Sequence, residues 1–320
     1  MGARYRVGLL VLAMLLAWML AASAQEQPLR IIFPFAAGGS GDGLARLIGE
    51  KMRAALNRPV IVENRTGAAG RPGVAAVKNA APDGSTLLIT PIAPMAVYQH
   101  VYKNLEYDPI RDFAAVSQIA TFDMGVAVGP KTPVASLQEL VAWVKADPSR
   151  AAFGSPGAGT LPHFFGLQVG RAAGIELRHV PYKGSAATLT DLAAGHVPMV
   201  FSTISDFVEM HQAGRIRILA TSGAERAPFV PDVPTFREAG FDIQGTSWYG
   251  AFAPARTPRE TIDRYSTIIA AAVRMSDVRE RVLAWGLQPT GTTAAEFAAI
   301  QKADAERWGP VVKASGFSAD

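Results

Sequence analysis

Leu29-Arg30-Ile31-Ile32-Phe33-Pro34-Phe35-Ala36-Ala37-Gly38-Gly39-Ser40-Gly41-Asp42 runs from an apolar strand-like segment into a glycine-rich turn. An amphipathic helix over 43–52 follows, with Leu44, Leu47, Ile48 and Met52 on one face. The same grammar recurs in Ala151-Ala152-Phe153-Gly154-Ser155-Pro156-Gly157-Ala158-Gly159-Thr160, which leads into a helix over 161–173. Each turn places backbone N–H groups at a helix start, where the helix dipole favours an anion. Two such turns, far apart in the chain, predict two lobes that hold one anionic molecule between them.

Outward from these turns the pattern stays β-α. Strands are expected over 29–33, 60–62 and 86–90, with a helix over 73–80 and a Pro82-Asp83-Gly84 turn. Strands alternating with helices imply a parallel sheet covered on both faces. A long extended stretch over 116–128 suits a strand crossing between lobes. Ser136 caps a helix over 137–146, with Glu139 at the capping-box position. The second lobe is expected to use strands over 178–181, 197–201 and 216–220, and a helix over 185–194 ended by Gly195. A second crossing strand is expected over 244–252. The last helices, over 259–275, 276–285 and 293–315, are expected to pack on the first lobe. Two crossings make the second lobe an insertion and permit hinge closure.

The first residues read as a secretory signal. Arg4 and Arg6 precede an apolar run over 7–20, and Ala22-Ser23-Ala24 supplies a small-residue cleavage pattern. Cleavage after Ala24 would leave a mature, periplasmic chain from Gln25. The expected division is 1–24 signal peptide, 25–124 with 248–320 as lobe 1, and 125–247 as lobe 2.

The chain has no cysteine, so core burial rather than disulfides must supply its stability, and thiol chemistry is excluded. Lys and Arg number 31 against 27 Asp and Glu, without a basic cluster, which gives no support to nucleic-acid binding. Neither glycine-rich turn has the lysine of a P-loop or the full dinucleotide fingerprint. Gly38-Gly39-Ser40-Gly41-Asp42 nearly matches a nucleophile elbow, so an exported serine hydrolase using Ser40 is an alternative. Of the five histidines only His163 lies on the other glycine-rich turn, and none shows metal-ligand spacing. No cofactor, metal or catalytic residue is expected on the main reading.

Several further segments carry a resemblance. They are Val62-Glu63-Asn64-Arg65-Thr66-Gly67-Ala68-Ala69-Gly70, Ala81-Pro82-Asp83-Gly84, Leu105-Glu106-Tyr107-Asp108-Pro109, Val180-Pro181-Tyr182-Lys183-Gly184-Ser185-Ala186 and Val230-Pro231-Asp232-Val233-Pro234-Thr235. Together with 33–42, and in this order, they make the chain resemble the extracytoplasmic solute receptors of tripartite tricarboxylate transporters, the Bug receptors, over about 28–316. The resemblance implies an α/β, type II periplasmic binding-protein fold, with two lobes joined by two crossing strands around a ligand cleft. It implies a small carboxylate solute (organic acid, amino acid or aromatic acid), delivery to membrane permease subunits, and a monomer. A ligand-dependent partner of a membrane sensor would use the same receptor.

On the matching motifs, Phe35 is expected to wall the cleft. Gly38, Gly39 and Ser40 would offer N–H groups, and Asp42 would sit beside them fixing the loop. Ser155, Gly157, Gly159 and Thr160 would complete the anion site, with His163 nearby. Thr90, Ser202 and Thr203, at strand ends, are candidate lining residues. Thr121-Phe122-Asp123 departs from the family pattern, where Pro and Asn are expected. Asp123 would bind an ammonium if it faces the cleft, or would stand as a hinge residue facing water. Phe122 would stack on an aromatic acid or pack in the core. An acid expected shortly after Val200-Phe201 is replaced by Ser202-Thr203.

Overall fold

Leu29, Ile31 and Ile32 are completely or almost completely buried, and an apolar run of this kind takes the centre of a parallel sheet. A computed structural model, describing residues 27–182 and 184–319, puts it there. The signal-peptide reading of 1–24 lies outside the described residues. Strand β1 (Leu29–Phe33) runs parallel to β2 (Val60–Asn64) on one side and β3 (Thr86–Pro91) on the other. Helix α1 (Ser40–Leu56) buries Leu44, Leu47, Ile48 and Met52, the face its periodicity predicts, and Asn57 closes it in the left-handed region. Helix α2 (Arg71–Lys78) joins β2 to β3. A π-helical turn, Ala93–Val97, and the short α3 (Tyr98–Val101) follow.

The long strand β4 (Phe113–Val128) carries the connection. Its first part, up to Asp123, pairs antiparallel with β9 (Thr246–Pro254), which in turn pairs with β3. From Met124 onward it pairs instead with β7 (Met199–Thr203) and β8 (Arg217–Thr221). Strand β7 continues into β5 (Ala152–Ser155) and β6 (Arg178–Pro181), both parallel. The order is therefore β2-β1-β3-β9-β4-β7-β5-β6, with β8 and β10 (Gln288–Pro289) added to β4. Register shifts at 115–117 and 118–120 interrupt the β4–β9 ladder. The backbone there is taken up by 290–292: the Gln118 carbonyl accepts from Gly291 and from the Thr290 hydroxyl, and Thr292 Oγ1 accepts from Gln118 N–H.

The second half of the sheet is covered by α4 (Leu137–Ala146), α5 (Leu161–Ala173), α6 (Ser185–Ala194) and α7 (Ile204–Gln212). Ser136 caps α4 by accepting from Glu139 N–H at 3.1 Å, and Glu139 reaches back to Ala135 N–H at 2.7 Å. Helices α8 (Arg259–Arg274), α9 (Ser276–Ala284) and α10 (Ala294–Ser315) end the chain. Helix α10, expected on the first lobe, packs on both halves of the sheet. Trp308 meets Phe165 of α5 edge-on, Arg307 donates to the Gln244 carbonyl, and Phe297 packs on Trp248 and Phe252 of β9. A 22-residue helix is about 33 Å long, enough to reach across both halves.

Candidate functional site

Gly41 brings α1 unusually close to the sheet, because a Cβ there would stand 2.6 Å from the Tyr249 ring and 2.7 Å from Phe33. Under that helix start lies an aromatic row. Phe35 packs on Phe33, Phe33 on Tyr249, and Tyr249 on Phe122 at 4.8 Å between centroids. The row holds the turn from below. Asp42 holds it from within: its buried carboxylate accepts from Gly38 N–H at 3.1 Å, from Asn64 Nδ2 at 2.9 Å and from Arg46 at 3.0 Å. Burial works to raise its pKa, but the hydrogen bonds from Arg46, Asn64 and Gly38 outweigh it and hold the carboxyl below its ordinary range. Helix geometry leaves the first-turn N–H groups of α1 without intrahelical partners.

That turn forms one wall of a cavity of about 720 Å³, with Gly38, Gly39, Ser40, Asp42 and Gly43 along it. The facing wall is α7, through Ser205, Asp206, Val208, Glu209 and Gln212. The end of α9 closes a third side with Ala284, Trp285 and Gly286. The two helices approach closely: a Cβ at Gly286 would lie 3.0 Å from Ser205 Cα. Three hydroxyls, of Ser185, Ser202 and Thr203, donate to Oδ2 of Asp206. The Tyr249 hydroxyl bridges the walls, hydrogen-bonded to Ser40 and within the field of Asp206. Burial is the main cause that pushes its pKa up to about 12. The volume suits a small organic solute, since such pockets span about 300–1,000 Å³.

Among the other hollows, two of the larger lie away from this turn. One of about 870 Å³ sits between α5 and α10, and one of about 460 Å³ lies beside 128–135. Neither joins a helix start to an opposing charged wall.

Of the residues singled out in the sequence, Gly38, Gly39, Ser40 and Asp42 line the cavity. Asp42 spends its oxygens on the loop, and the Gly38 N–H, expected to face the ligand, is already donated to it. The second glycine-rich turn does not line this cavity at all. Ser155 is fully buried, with its hydroxyl bonded to His179 Nε2 at 2.7 Å and to the Gly157 carbonyl. Thr160 Oγ1 donates to the same carbonyl. His163 is 3% exposed, stacks on His179 at 3.9 Å, meets Phe317 edge-on, and its Nδ1 accepts from Gly159 N–H. Burial, with some repulsion from His179, pushes the His163 pKa down to about 3, and burial pushes His179 down to about 4. Both imidazoles are neutral at physiological pH, and His163 is no proton acceptor for Ser40. Gly159, buried with φ 71°, is covered by Phe317 and Val101.

Thr90 is fully buried, opposite Gly250 in the ladder, and its Oγ1 has no hydrogen-bond partner. Ser202 and Thr203 serve the cavity indirectly, through Asp206. Phe122 packs in the core on Tyr249. Helix α7, with Ser205, Asp206 and Glu209, was not foreseen from the sequence. Its signal was present in Thr203-Ile204-Ser205-Asp206, a hydroxyl followed three residues later by an acid. The Thr203 hydroxyl donates to Asp206 at 2.8 Å.

Asp123 does not line that cavity itself; with Phe122, Ile204 and Gly286 it lines a small hollow of about 30 Å³ that meets the cavity at Gly286. It is partly buried beside Thr246 and Gly223. Burial raises its pKa to about 6, and the Thr246 hydrogen bond only partly offsets this. An acid whose folded pKa exceeds its unfolded value of about 3.9 stabilises the fold at low pH. That contribution is lost as pH rises from about 4 to about 6. Asp123→Asn is therefore expected to be more stable than the parent at pH 7 by about 1–3 kcal/mol, the gain vanishing below about pH 4. Urea unfolding across that range measures it, and equal stabilities at pH 7 would show that the carboxylate is solvated.

Among the described residues no helix is long and apolar enough to cross a membrane, and no group of three potential ligands could hold a metal ion. Residues 44–317 match the family described as "Tripartite tricarboxylate transporter family receptor". The protein BugT of Bordetella pertussis is 30% identical over 292 residues, covering 91% of this chain and 90% of that one. Among solved structures, the periplasmic binding protein BugD has a TM-score of 0.82 at 28% identity, covering 92% of this chain and 99% of its own. An R. palustris protein solved with adipate has a TM-score of 0.86 at 29% identity, over 92% of this chain and 99% of that one. MatC from Rhodopseudomonas palustris, solved with malate, has a TM-score of 0.81 at 29% identity, over 89% of this chain and 98% of that one.

Proposed function

Because the chain belongs to the tripartite tricarboxylate transporter receptor family, whose solved relatives are periplasmic binding proteins, we propose that it captures a small carboxylate-bearing solute in the α1–α7–α9 cavity and passes it to a membrane permease. The carrying observation is the start of α1, aimed into a cavity of about 720 Å³ and braced from below and within. A carboxylate there meets N–H groups and the Ser40 hydroxyl rather than a fixed cation, and such charge-assisted bonds are short and strong. The two lobes of this reading are 25–124 with 248–320, and 125–247. The change of partner along β4, from Thr246 opposite Asp123 to Thr203 opposite Met124, supports a hinge line there in this reading.

Catalysis has no part in this reading. Ser40 is hydrogen-bonded to Tyr249, and His163 is committed to Gly159 and stacked away in the core.

The test is a thermal-shift screen of the exported protein, unfolded and refolded first to free any carried ligand. Mono-, di- and tricarboxylates, amino acids and aromatic acids form the panel. A ligand at a hundred times its Kd adds about 2.7 kcal/mol, which raises the midpoint by several degrees. A selective shift, clearly smaller in Gly41→Ala, is the expected result. A flat response to every carboxylate would overturn the proposal.

A further inference from the structure

Asp123 sits where the two lobes of the reading above meet. Its small hollow takes a wall from each: Phe122, Gly286 and Gln288 from the first lobe, and Ile204, Pro228 and Phe229 from the second. A volume of about 30 Å³ holds about one or two water molecules, far short of the hydration an ionised carboxylate has in bulk water. On its other side the carboxyl lies against the backbone of Gly223, where a Cβ would stand 2.5 Å from Asp123 Oδ2.

The two edges of β4 differ at this point. On one, Met124 N–H donates to Ser222 Oγ, Ser222 N–H donates to the Met124 carbonyl, and Gly245 N–H donates to the Ser222 carbonyl. That edge is tied and suits a pivot. On the other edge, Gly286 meets Ser205. The contact depends on a bare glycine, because a Cβ at Gly286 would lie 3.0 Å from Ser205 Cα, and backbone does not step aside as a flexible side chain does. Gly286 lines both the large cavity and the Asp123 hollow. Parting of the lobes at this contact would open the hollow to the water of the cavity.

Few charges surround Asp123 among the described residues. Strands β4, β9 and β10 carry no other charged residue, and Tyr249 of β9 turns its hydroxyl to Ser40. On the loop after β8, Glu225 and Arg226 are exposed, and Arg226 pairs with Glu238. Asp206 of α7 accepts from three hydroxyls, Arg307 of α10 donates to the Gln244 carbonyl, and Arg281, one turn before the end of α9, is exposed. Burial is the main cause that raises the Asp123 pKa, and the Thr246 hydrogen bond works against it.

We infer that closure of the lobes takes up a proton at Asp123, so that the receptor closes more readily in acid than at neutral pH. The inference rests on the two-lobe receptor reading and adds to it a dependence on the acidity around the protein. With the lobes in contact at Gly286, burial holds the Asp123 pKa at about 6; with the lobes apart, water returns it toward about 3.9. The conformation with the higher pKa gains as pH falls. Closure is therefore expected to be about tenfold more favourable at pH 5 than at pH 7. A solute held between the lobes shares that preference, because its apparent affinity follows the closed fraction.

Gly286→Asn supplies a wedge for the test. Asn tolerates the left-handed φ of 71° at this helix end, and its Cβ pushes against Ser205. NMR titration of the refolded exported protein, labelled at aspartate, follows Asp123 through the resonance that Asp123→Asn lacks. The expected midpoint is about 6 in the parent and about 4 in Gly286→Asn. X-ray scattering without solute is the second readout. The parent is expected to expand between pH 5 and pH 7, and Asp123→Asn to stay compact at both. An Asp123 midpoint in the ordinary carboxylate range in the parent would overturn the inference. So would the same midpoint in parent and wedge, or scattering that changes identically in parent and Asp123→Asn. A flat carboxylate screen would remove the receptor reading and leave both of these readouts as they are.

Discussion

Alanine at Gly41 is expected to cost about 1–3 kcal/mol of stability and to weaken carboxylate binding tenfold or more, while alanine at Gly39 costs under about 1 kcal/mol. The contrast is steric. A Cβ at Gly41 would lie 2.6–2.8 Å from the Tyr249 and Phe33 rings, and one at Gly39 meets nothing within 4 Å. Neither ring can retreat easily, since Phe33 lies against Phe35 and Tyr249 against Phe122. The start of α1 must rise off the row, carrying Ser40 and its N–H groups away from the Tyr249 hydroxyl. Helix propensity alone would favour alanine at Gly41 by up to about 1 kcal/mol, so a loss of stability can be assigned to the clash. Urea unfolding and calorimetry on the two variants supply the comparison. A stable, fully binding Gly41→Ala protein would show that the row yields and that the tight approach does not position the turn.

Local pattern carries most of this architecture. Helices at Leu137–Ala146, Leu161–Ala173 and Ser185–Ala194 and the strand Arg178–Pro181 have the expected bounds, because each starts at a cap or ends at a glycine or proline. The family resemblance and the α/β periplasmic binding-protein fold it implies hold as well. The site was half legible. The α1 turn announces itself because glycines before an amphipathic helix have a local signature. Helix α7 lacks one as clear: Val200–Thr203 reads as a strand end, and the acid sought just after Phe201 sits one helical turn later, at Asp206. The second glycine-rich turn shows the opposite failure. Its strand, turn and helix form as expected, yet Phe317 folds back over Gly159 and His163 from the far end of the chain. No period or cap records a contact of that sequence separation. The same holds for α10, whose apolar face does not state that it spans both halves of the sheet.

Removal of the Asp42 carboxylate separates bracing from charge at the α1 turn. As a brace, Asp42 accepts from Gly38 N–H, Asn64 and Arg46. Asp42→Ala leaves these donors without their acceptor. Arg46 is half exposed and turns to water at little cost, but Asn64 and Gly38 lose a bond inside the turn. The expected loss is about 1–3 kcal/mol at pH 7. The pH dependence follows from the lowered pKa of Asp42 in the fold. An acid with a depressed folded pKa stabilises above its unfolded value of about 3.9 and loses that contribution as pH falls through the folded pKa. The difference between the parent and Asp42→Ala should therefore be full at pH 7 and shrink below about pH 4, the reverse of the slope expected at Asp123. Ligand affinity decides the remaining question by its sign. If Asp42 acts as a brace, losing it loosens Gly38–Ser40 and carboxylates bind about tenfold more weakly. If its charge is felt by the ligand, its removal relieves repulsion and carboxylates bind more tightly. The Arg46 contact neutralises that charge within the wall, so weaker binding is the expected outcome, and tighter binding would place a free negative charge at the turn assigned to the carboxylate.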